Sequence, residues 1–236
     1  MKALLLLLPA LVCHAQDPDL PRQLAKAQRL GTEQLLTLQA RLAADPASAE
    51  QKSYDQQYLA YCLASRGLQS DPKGTAPALE RLVKELEPSR DPERMALLGA
   101  CLGLKISLSP MSGMTLSPQA MALYDQALAL SPDNPRILTL RAVHVLHTPA
   151  FFGGGPKAAI PILTAAAAAA AHAPAPADPW APAWGRVDSL SWLALAQAQA
   201  HAFDAAKATV EQARALDPDN GFLDRMVLPL LKESAR

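Results

Sequence analysis

Residues 188–220 read DSLSWLALAQAQAHAFDAAKATVEQARALDPDN, and this stretch decides the fold. Apolar and small residues recur at helical spacing on both sides of a turn at His201. Pro218 stops the second helix because proline cannot continue one. The small side chains of Ala194 and Ala206 let the two helices approach closely. The stretch therefore predicts two antiparallel helices joined by a tight turn.

A second copy of the helix end occurs upstream. QALALSPDN at 126–134 and QARALDPDN at 212–220 share Gln, Ala, Ala, Leu, Pro, Asp and Asn in one register. The small residue seven positions before the central alanine also recurs, because Ala120 precedes Ala127 as Ala206 precedes Ala213. Self-similarity of this kind is typical of a repeat array rather than of a helix terminator used twice.

The 188–220 stretch resembles a tetratricopeptide repeat (TPR), a helix-turn-helix unit with a period of about 34 residues. The matching positions are Leu190, Leu193, Ala194, Ala206, Val210, Ala213 and Pro218. The sequence departs from the repeat pattern where it has no Trp at the first position, Gln197 at the Tyr position and His201 at the turn glycine. The resemblance implies an all-α fold, a TPR-like right-handed α-solenoid of helix-turn-helix pairs. We predict one domain over 16–236, with the clearest repeats at about 91–134, 135–173 and 187–220.

Two insertions and a Pro-rich connector interrupt these repeats. The insertions are SPMSGMTLS at 109–117 and TPAFFGGGP at 148–156, and the connector is APAPADPWAPAWG at 173–185. The FGG-type loop and the WG junction resemble a group of secreted bacterial TPR proteins over roughly the C-terminal half. That resemblance implies a fold and a secreted location, and it implies no particular activity.

The beginning of the sequence, MKALLLLLPALVCHAQ, predicts a secretory signal peptide over residues 1–15. Its apolar run is too short to span a bilayer, and no later stretch is long and apolar enough to do so. We predict a secreted, periplasmic protein cleaved after Ala15. The alternative is a lipoprotein acylated at Cys13, although Val12 is larger than the residue that such a signal prefers before its cysteine. Whether Cys62 and Cys101 pair in an oxidising compartment stays open.

The composition excludes some classes of partner. The 22 basic and 22 acidic residues balance, so no basic patch predicts binding to nucleic acid. An aromatic content of only 5%, with abundant Ala and Leu, favours helices over sheets.

The sequence contains no strong motif for phosphate binding, metal binding or catalysis. The run GGGPK at 153–157 fails as a phosphate loop, because no Ser or Thr follows the lysine and no strand precedes it. His144 and His147 stand three apart, and the sequence offers no third metal ligand for them. The sequence contains no recognisable motif of a catalytic triad. We therefore predict no metal, no cofactor and no enzymatic activity.

The candidate binding residues are predictions from residue type and position in the sequence. Arg141 and His144 share one helical face and are candidates for a concave groove; the alternative is that Arg141 extends to solvent. Four aromatic residues, in the FFGGG loop and in the connector, are candidates for a partner surface or for packing: Phe151, Phe152, Trp180 and Trp184.

The leading functional hypothesis is a secreted adaptor that binds a protein or peptide in its concave groove. The alternative is a small-ligand carrier that uses the FFGGG loop and the Trp-rich connector. An enzyme of unrecognised type is the third.

Overall fold

The structure, a computed structural model, describes residues 17–47 and 49–233. The prediction of an all-α fold is confirmed, because helices and turns make up these ranges and no strand occurs in them. The predicted signal peptide and Cys13 lie outside the described residues. The helices are α1 Leu20–Leu24, α2 Thr32–Ala44, α3 Ala49–Ser70, α4 Pro72–Leu86, α5 Pro92–Leu108, α6 Gly113–Leu130, α7 Pro135–His147, α8 Pro156–His172, α9 Arg186–Gln199, α10 Phe203–Leu216 and α11 Leu228–Glu233.

The starts of three helices are determined by the residues at those positions. The side chains of Asp71, Asp91 and Asn134 accept hydrogen bonds from free backbone amides at the starts of α4, α5 and α7. A proline follows each of these caps, where its missing N–H removes no helical hydrogen bond. These signals fix where the helices begin and hence where the turns between them lie.

Helices that are adjacent in sequence pack against each other, as in an α-solenoid. The pairs α3–α4, α5–α6, α7–α8 and α9–α10 are in contact, and the first members α3, α5, α7 and α9 form a row in which each contacts the next. Alanines seven residues apart are fully buried in three second helices: Ala120 and Ala127 in α6, Ala159 and Ala166 in α8, and Ala206 and Ala213 in α10. Small side chains at these positions allow close helix contact.

The N-terminal segment ties the two ends of this row together. Arg29, in the 3₁₀ turn Ala27–Arg29, binds Asp188 of α9 through Nη1 at 2.7 Å. Its Nε binds Asp217, which follows α10, also at 2.7 Å. On the other side, Arg66 of α3 donates a hydrogen bond to the carbonyl of Gln28 at 2.5 Å. The segment therefore bridges α3 and α9 across the inner face of the row.

The Pro-rich connector, residues 173–185, occupies the same inner face. The indole of Trp184 stacks on Tyr58 of α3, with the ring centroids 4.6 Å apart, and donates a hydrogen bond to the Tyr54 hydroxyl at 3.1 Å. Arg136 of α7 donates to the Trp184 carbonyl at 3.5 Å. The inner face where a solenoid would accept a peptide is thus covered by two segments of the same chain.

Asp55 of α3 is a buried carboxyl close to the connector residue Asp178. Burial, and secondarily the charge of Asp178, raises the pKa of Asp55 to about 7. Because this pKa lies above its ordinary value of 3.8, the fold favours the protonated form. The contribution of Asp55 to the free energy of unfolding should therefore be most favourable below pH 4, fall as the pH rises towards 7, and then level off.

We expect Asp55→Asn to remove this pH dependence and to stabilise the protein at pH 8 by as much as about 4 kcal/mol. Urea unfolding at pH 4, 6 and 8 measures the effect, and the exposed Asp219→Asn is the matched control. A wild-type stability that rises steadily from pH 4 to pH 8, unchanged in shape by Asp55→Asn, would contradict the assignment.

Candidate functional site

Large apolar side chains are exposed along one edge of the array. The turns inside the helix pairs all lie on this edge, because the two helices of each pair run antiparallel. Met111 and Met114, between α5 and α6, are 85% and 81% exposed. Phe151 and Phe152, between α7 and α8, are 81% and 67% exposed, and their ring centroids are 4.1 Å apart. These four are the most exposed large apolar side chains of the described residues, whereas Leu130 and Leu216 are exposed at the opposite edge, where α6 and α10 end. The edge with the methionines and phenylalanines is therefore a candidate binding surface.

The two exposed turns are neighbours in space. The hydroxyl of Ser117 and Nε2 of His144 form a hydrogen bond of 2.9 Å between α6 and α7. Ser117 lies near the start of α6, and His144 lies near the end of α7. At about 1.5 Å of rise per residue, each turn begins within roughly 6 Å of this hydrogen bond. The methionine turn and the phenylalanine turn therefore belong to one edge.

A cavity of about 460 Å³ opens on this edge between α4, α5 and α6. Its volume falls within the range of roughly 300–1,000 Å³ that is usual for small-molecule sites. Its wall is mainly apolar, with hydroxyl groups at the turn between α5 and α6. The lining residues are Ala76, Leu79, Glu80, Lys105, Leu108, Ser109, Ser112, Thr115 and Leu116.

Two lysines lie in or near the apolar wall: Lys105 lines the cavity, and Lys73 belongs to the same helix as the lining residues Ala76 and Glu80. Lys105 pairs with Glu80 across the cavity, Nζ to Oε1, at 2.8 Å. Lys73 lies three residues before Ala76 and seven before Glu80, so it is on the same face of α4. Within the described ranges Lys73 makes no ion pair. Glu80 balances the charge of Lys105 in the wall, and Lys73 is a further cation near the cavity that does not itself line it.

The structure separates the aromatic residues that the sequence placed in one ligand site. Trp180 and Trp184 are buried, and the Trp184 carbonyl lies against Arg136 at the start of α7. Phe151 follows the other end of α7, and the helix between Arg136 and His147 is about 16 Å long. Trp184 and the phenylalanines therefore lie near opposite ends of α7, and a ligand shared by the FFGGG loop and the connector stays a prediction. The tryptophans pack the connector, and the phenylalanines stay exposed.

Arg141 and His144 contact the neighbouring helix α6. Arg141 pairs with Asp125 at 3.1 Å, Nη2 to Oδ1. His144 is buried, and its ring centroid lies 5.9 Å from that of Tyr124. Burial lowers the pKa of His144, so its imidazole is neutral at neutral pH. A role for either residue with a partner stays a prediction.

Among the described residues, Cys62 and Cys101 are free cysteines, and both are buried. Burial raises the pKa of the Cys62 thiol to about 12 and that of Cys101 well above its ordinary value. Neither thiol is poised for nucleophilic chemistry. Over 17–47 and 49–233, no three side chains of His, Cys, Asp and Glu are grouped as a metal site would require.

The cavity was not predicted from the sequence. Its lining comes from three helices and from the insertion at 109–117, which the sequence identifies as a loop without showing what lies beneath it. No motif in that insertion signals a cavity, because its lining residues are Ser109, Ser112, Thr115 and Leu116.

Comparisons with known proteins give a structural relative but no family. No protein-family model matches the chain, and a search of curated proteins finds no match. The TPR assignment therefore stays a resemblance. Among solved structures, the HusA haemophore from Porphyromonas gingivalis is similar to this chain, with a TM-score of 0.60 and 25% sequence identity. The match covers 78% of this chain and 94% of the haemophore. The relative is, by its name, a binding protein rather than an enzyme.

None of the helices within the described ranges has both the length and the hydropathy that a bilayer crossing requires.

Proposed function

We propose that this chain is a carrier for a flat, largely apolar small molecule with acidic groups, of the haem class, and that it catalyses no reaction. The observation that carries the proposal is the mainly apolar cavity between α4, α5 and α6, which opens beside the exposed Met111 and Met114 and has the Lys105–Glu80 ion pair in its wall. The likeness to a haemophore supports the same class of ligand.

The adaptor hypothesis is less well supported than the proposal of a small-ligand carrier. A peptide in the groove lined by α3, α5, α7 and α9 would have to displace the Arg29 ion pairs and the stacked Trp184. Both contacts are buried, so displacing them would cost several kcal/mol. Phe151 and Phe152 remain the surface at which a protein partner is predicted.

We also propose that the chain is exported. The support is the charged, apolar leader at 1–15, and lipid attachment at Cys13 is the alternative route. A carrier outside the cytoplasm would meet its ligand in the surrounding medium.

The carrier proposal is tested by filling the cavity. We expect haemin and metal-free protoporphyrin IX to bind the wild type, and Ala76→Trp to abolish binding of both by occupying their space. Absorption titration for haemin and fluorescence titration for the porphyrin measure the affinities. Thr115→Trp should act in the same way from the opposite wall.

The matched control is Ala215→Trp on α10, which adds the same indole at an exposed position outside the cavity. Circular dichroism and melting temperature check that all three variants fold. Equal affinity in Ala76→Trp, Thr115→Trp and the control would reject this cavity as the site. Failure of the wild type to bind either tetrapyrrole would reject the ligand class.

A further inference from the structure

The methionine turn and the phenylalanine turn lie in two stretches that are free of Asp, Glu, Lys and Arg. These stretches are residues 106–124 and 142–156. The four large apolar side chains at the turns are between 67% and 85% exposed. Moving this part of the edge into an apolar medium would therefore strip no carboxylate, ammonium or guanidinium group of its water, which is the largest cost of such a transfer.

The phenylalanine turn has a backbone that holds its two rings outward. Gly153 and Gly155 have φ angles of +82° and +93°, which residues with a side chain rarely adopt. The N–H of Phe152 donates to the Pro149 carbonyl at 2.9 Å, and the N–H of Gly155 donates to the Val145 carbonyl at 2.8 Å. The exposed rings are thus positioned before any partner arrives, so binding them costs little conformational entropy.

The four apolar side chains project from two separate turns and do not line a groove. The cavity wall between α4, α5 and α6 includes none of them. A protein partner would need a close-fitting surround for each anchoring side chain, whereas a lipid bilayer is fluid and closes around each one separately. Projecting apolar side chains in an uncharged surround therefore favour a bilayer as the partner.

Charged residues begin at the borders of this uncharged zone. Lys157 directly follows it, is exposed, and makes no ion pair with another described residue. The flanking turns of the same edge have both signs of charge: Asp71 and Lys73 at the start of α4, and the Asp204–Lys207 pair, at 3.6 Å, at the start of α10. Such a border limits insertion to the depth of the two turns, and it places the Lys157 ammonium where lipid headgroups would lie.

We propose that the methionine turn and the phenylalanine turn bind the surface of a lipid bilayer that contains anionic headgroups. Met111, Met114, Phe151 and Phe152 enter the boundary between headgroups and acyl chains, and Lys157 contacts the headgroups. This surface is separate from the carrier function, and the proposal holds whether or not the cavity binds a tetrapyrrole.

The first test asks which edge of the full chain enters the lipid. Phe152→Trp places a fluorescent reporter at the phenylalanine turn, and Leu216→Trp places the matched one at an exposed position on the opposite edge. The vesicles contain phosphatidylcholine and phosphatidylglycerol with brominated acyl chains, and no tetrapyrrole is added. The emission added by Phe152→Trp should shift to shorter wavelength and fall by roughly half, because indole settles at the membrane interface, whereas that of Leu216→Trp should stay unchanged. The apolar leader at 1–15 is common to both variants and does not affect their comparison.

The second test measures affinity for the same vesicles without bromine, by sedimentation. Phe151→Ala/Phe152→Ala should weaken binding by roughly tenfold, because two large apolar side chains no longer leave water. Leu130→Ala/Leu216→Ala removes two exposed apolar side chains from the opposite edge and is the matched control, with no expected change. Lys157→Gln should weaken binding by about fivefold, and only to vesicles that contain phosphatidylglycerol. Circular dichroism checks that each variant folds.

Equal quenching of the two reporters would overturn the proposal, and so would equal affinities of the two double variants. Absence of vesicle binding, together with a dimer that Phe151→Ala/Phe152→Ala dissociates in analytical ultracentrifugation, would overturn it in favour of contact between two copies of the chain. Because no tetrapyrrole is present, each of these results leaves the carrier proposal standing. Failure of tetrapyrrole binding alone would in turn leave the membrane surface standing.

Discussion

Replacing Arg29 by methionine is expected to lower the free energy of unfolding by about 3–5 kcal/mol. Arg29 is buried, and both of its carboxylate partners, Asp188 and Asp217, are buried with it. Both ion pairs measure 2.7 Å. Methionine keeps much of the side-chain volume but leaves Asp188 without a cation and Asp217 with only the exposed Lys26. Urea unfolding at pH 7 measures the loss.

Lys26 provides the matched control for this prediction. It reaches the same Asp217 at 3.7 Å, but its side chain is 52% exposed. Lys26→Met should therefore cost under about 1 kcal/mol. Adding Asp188→Asn and Asp217→Asn to Arg29→Met should recover part of the lost stability, because the neutral amides need no counter-charge. A loss below 1 kcal/mol for Arg29→Met alone would show that the N-terminal segment does not tie α3 to α9.

The parts of the fold that sequence could predict depend on short-range physics. Asp91 and Asn134 are caps followed by proline, and both mark helix starts that the structure has at the same places. The buried alanines at 206 and 213 lie on one helix face because their spacing is close to two helical turns. Such signals involve residues within a few helical turns of each other, so they can be recognised from the sequence alone.

The start of α6 shows how a local rule can mislead. Proline favours the first turn of a helix, so Pro118 taken alone would suggest a helix that begins beside it. The helix instead begins at Gly113 and contains Pro118. The added turn brings Ser112, Thr115 and Leu116 to the cavity wall, so an insertion interpreted as a loop supplies part of the candidate site.

Contacts between distant parts of the chain could not be predicted from the sequence. Arg29 and Asp188 are 159 residues apart, and Tyr54 and Trp184 are 130 apart. The periodic pattern of apolar residues does not predict such contacts. They depend on the curvature of the row of helices, which decides which distant residues come together. The sequence therefore predicted an open groove, and the structure has its own segments lying in it.

Trp184→Ala is expected to cost about 3–5 kcal/mol, since it removes a large buried aromatic side chain and leaves a cavity. The stacking on Tyr58 and the hydrogen bond to the Tyr54 hydroxyl are lost with it. Trp184→Phe should cost less, because a ring that can stack remains while the indole N–H is gone. Urea unfolding of the three proteins under identical conditions measures the series.

Phe151→Ala is the control for Trp184→Ala, because the same kind of truncation at an 81% exposed ring should change stability by no more than about 0.5 kcal/mol. The pair also discriminates between the functional hypotheses. If the connector merely covers the inner face, Trp184→Ala should leave tetrapyrrole binding intact, since the cavity is at the other end of the helices. A near-zero cost for Trp184→Ala would mean that the connector leaves the groove readily, and the adaptor would then become the better-supported function.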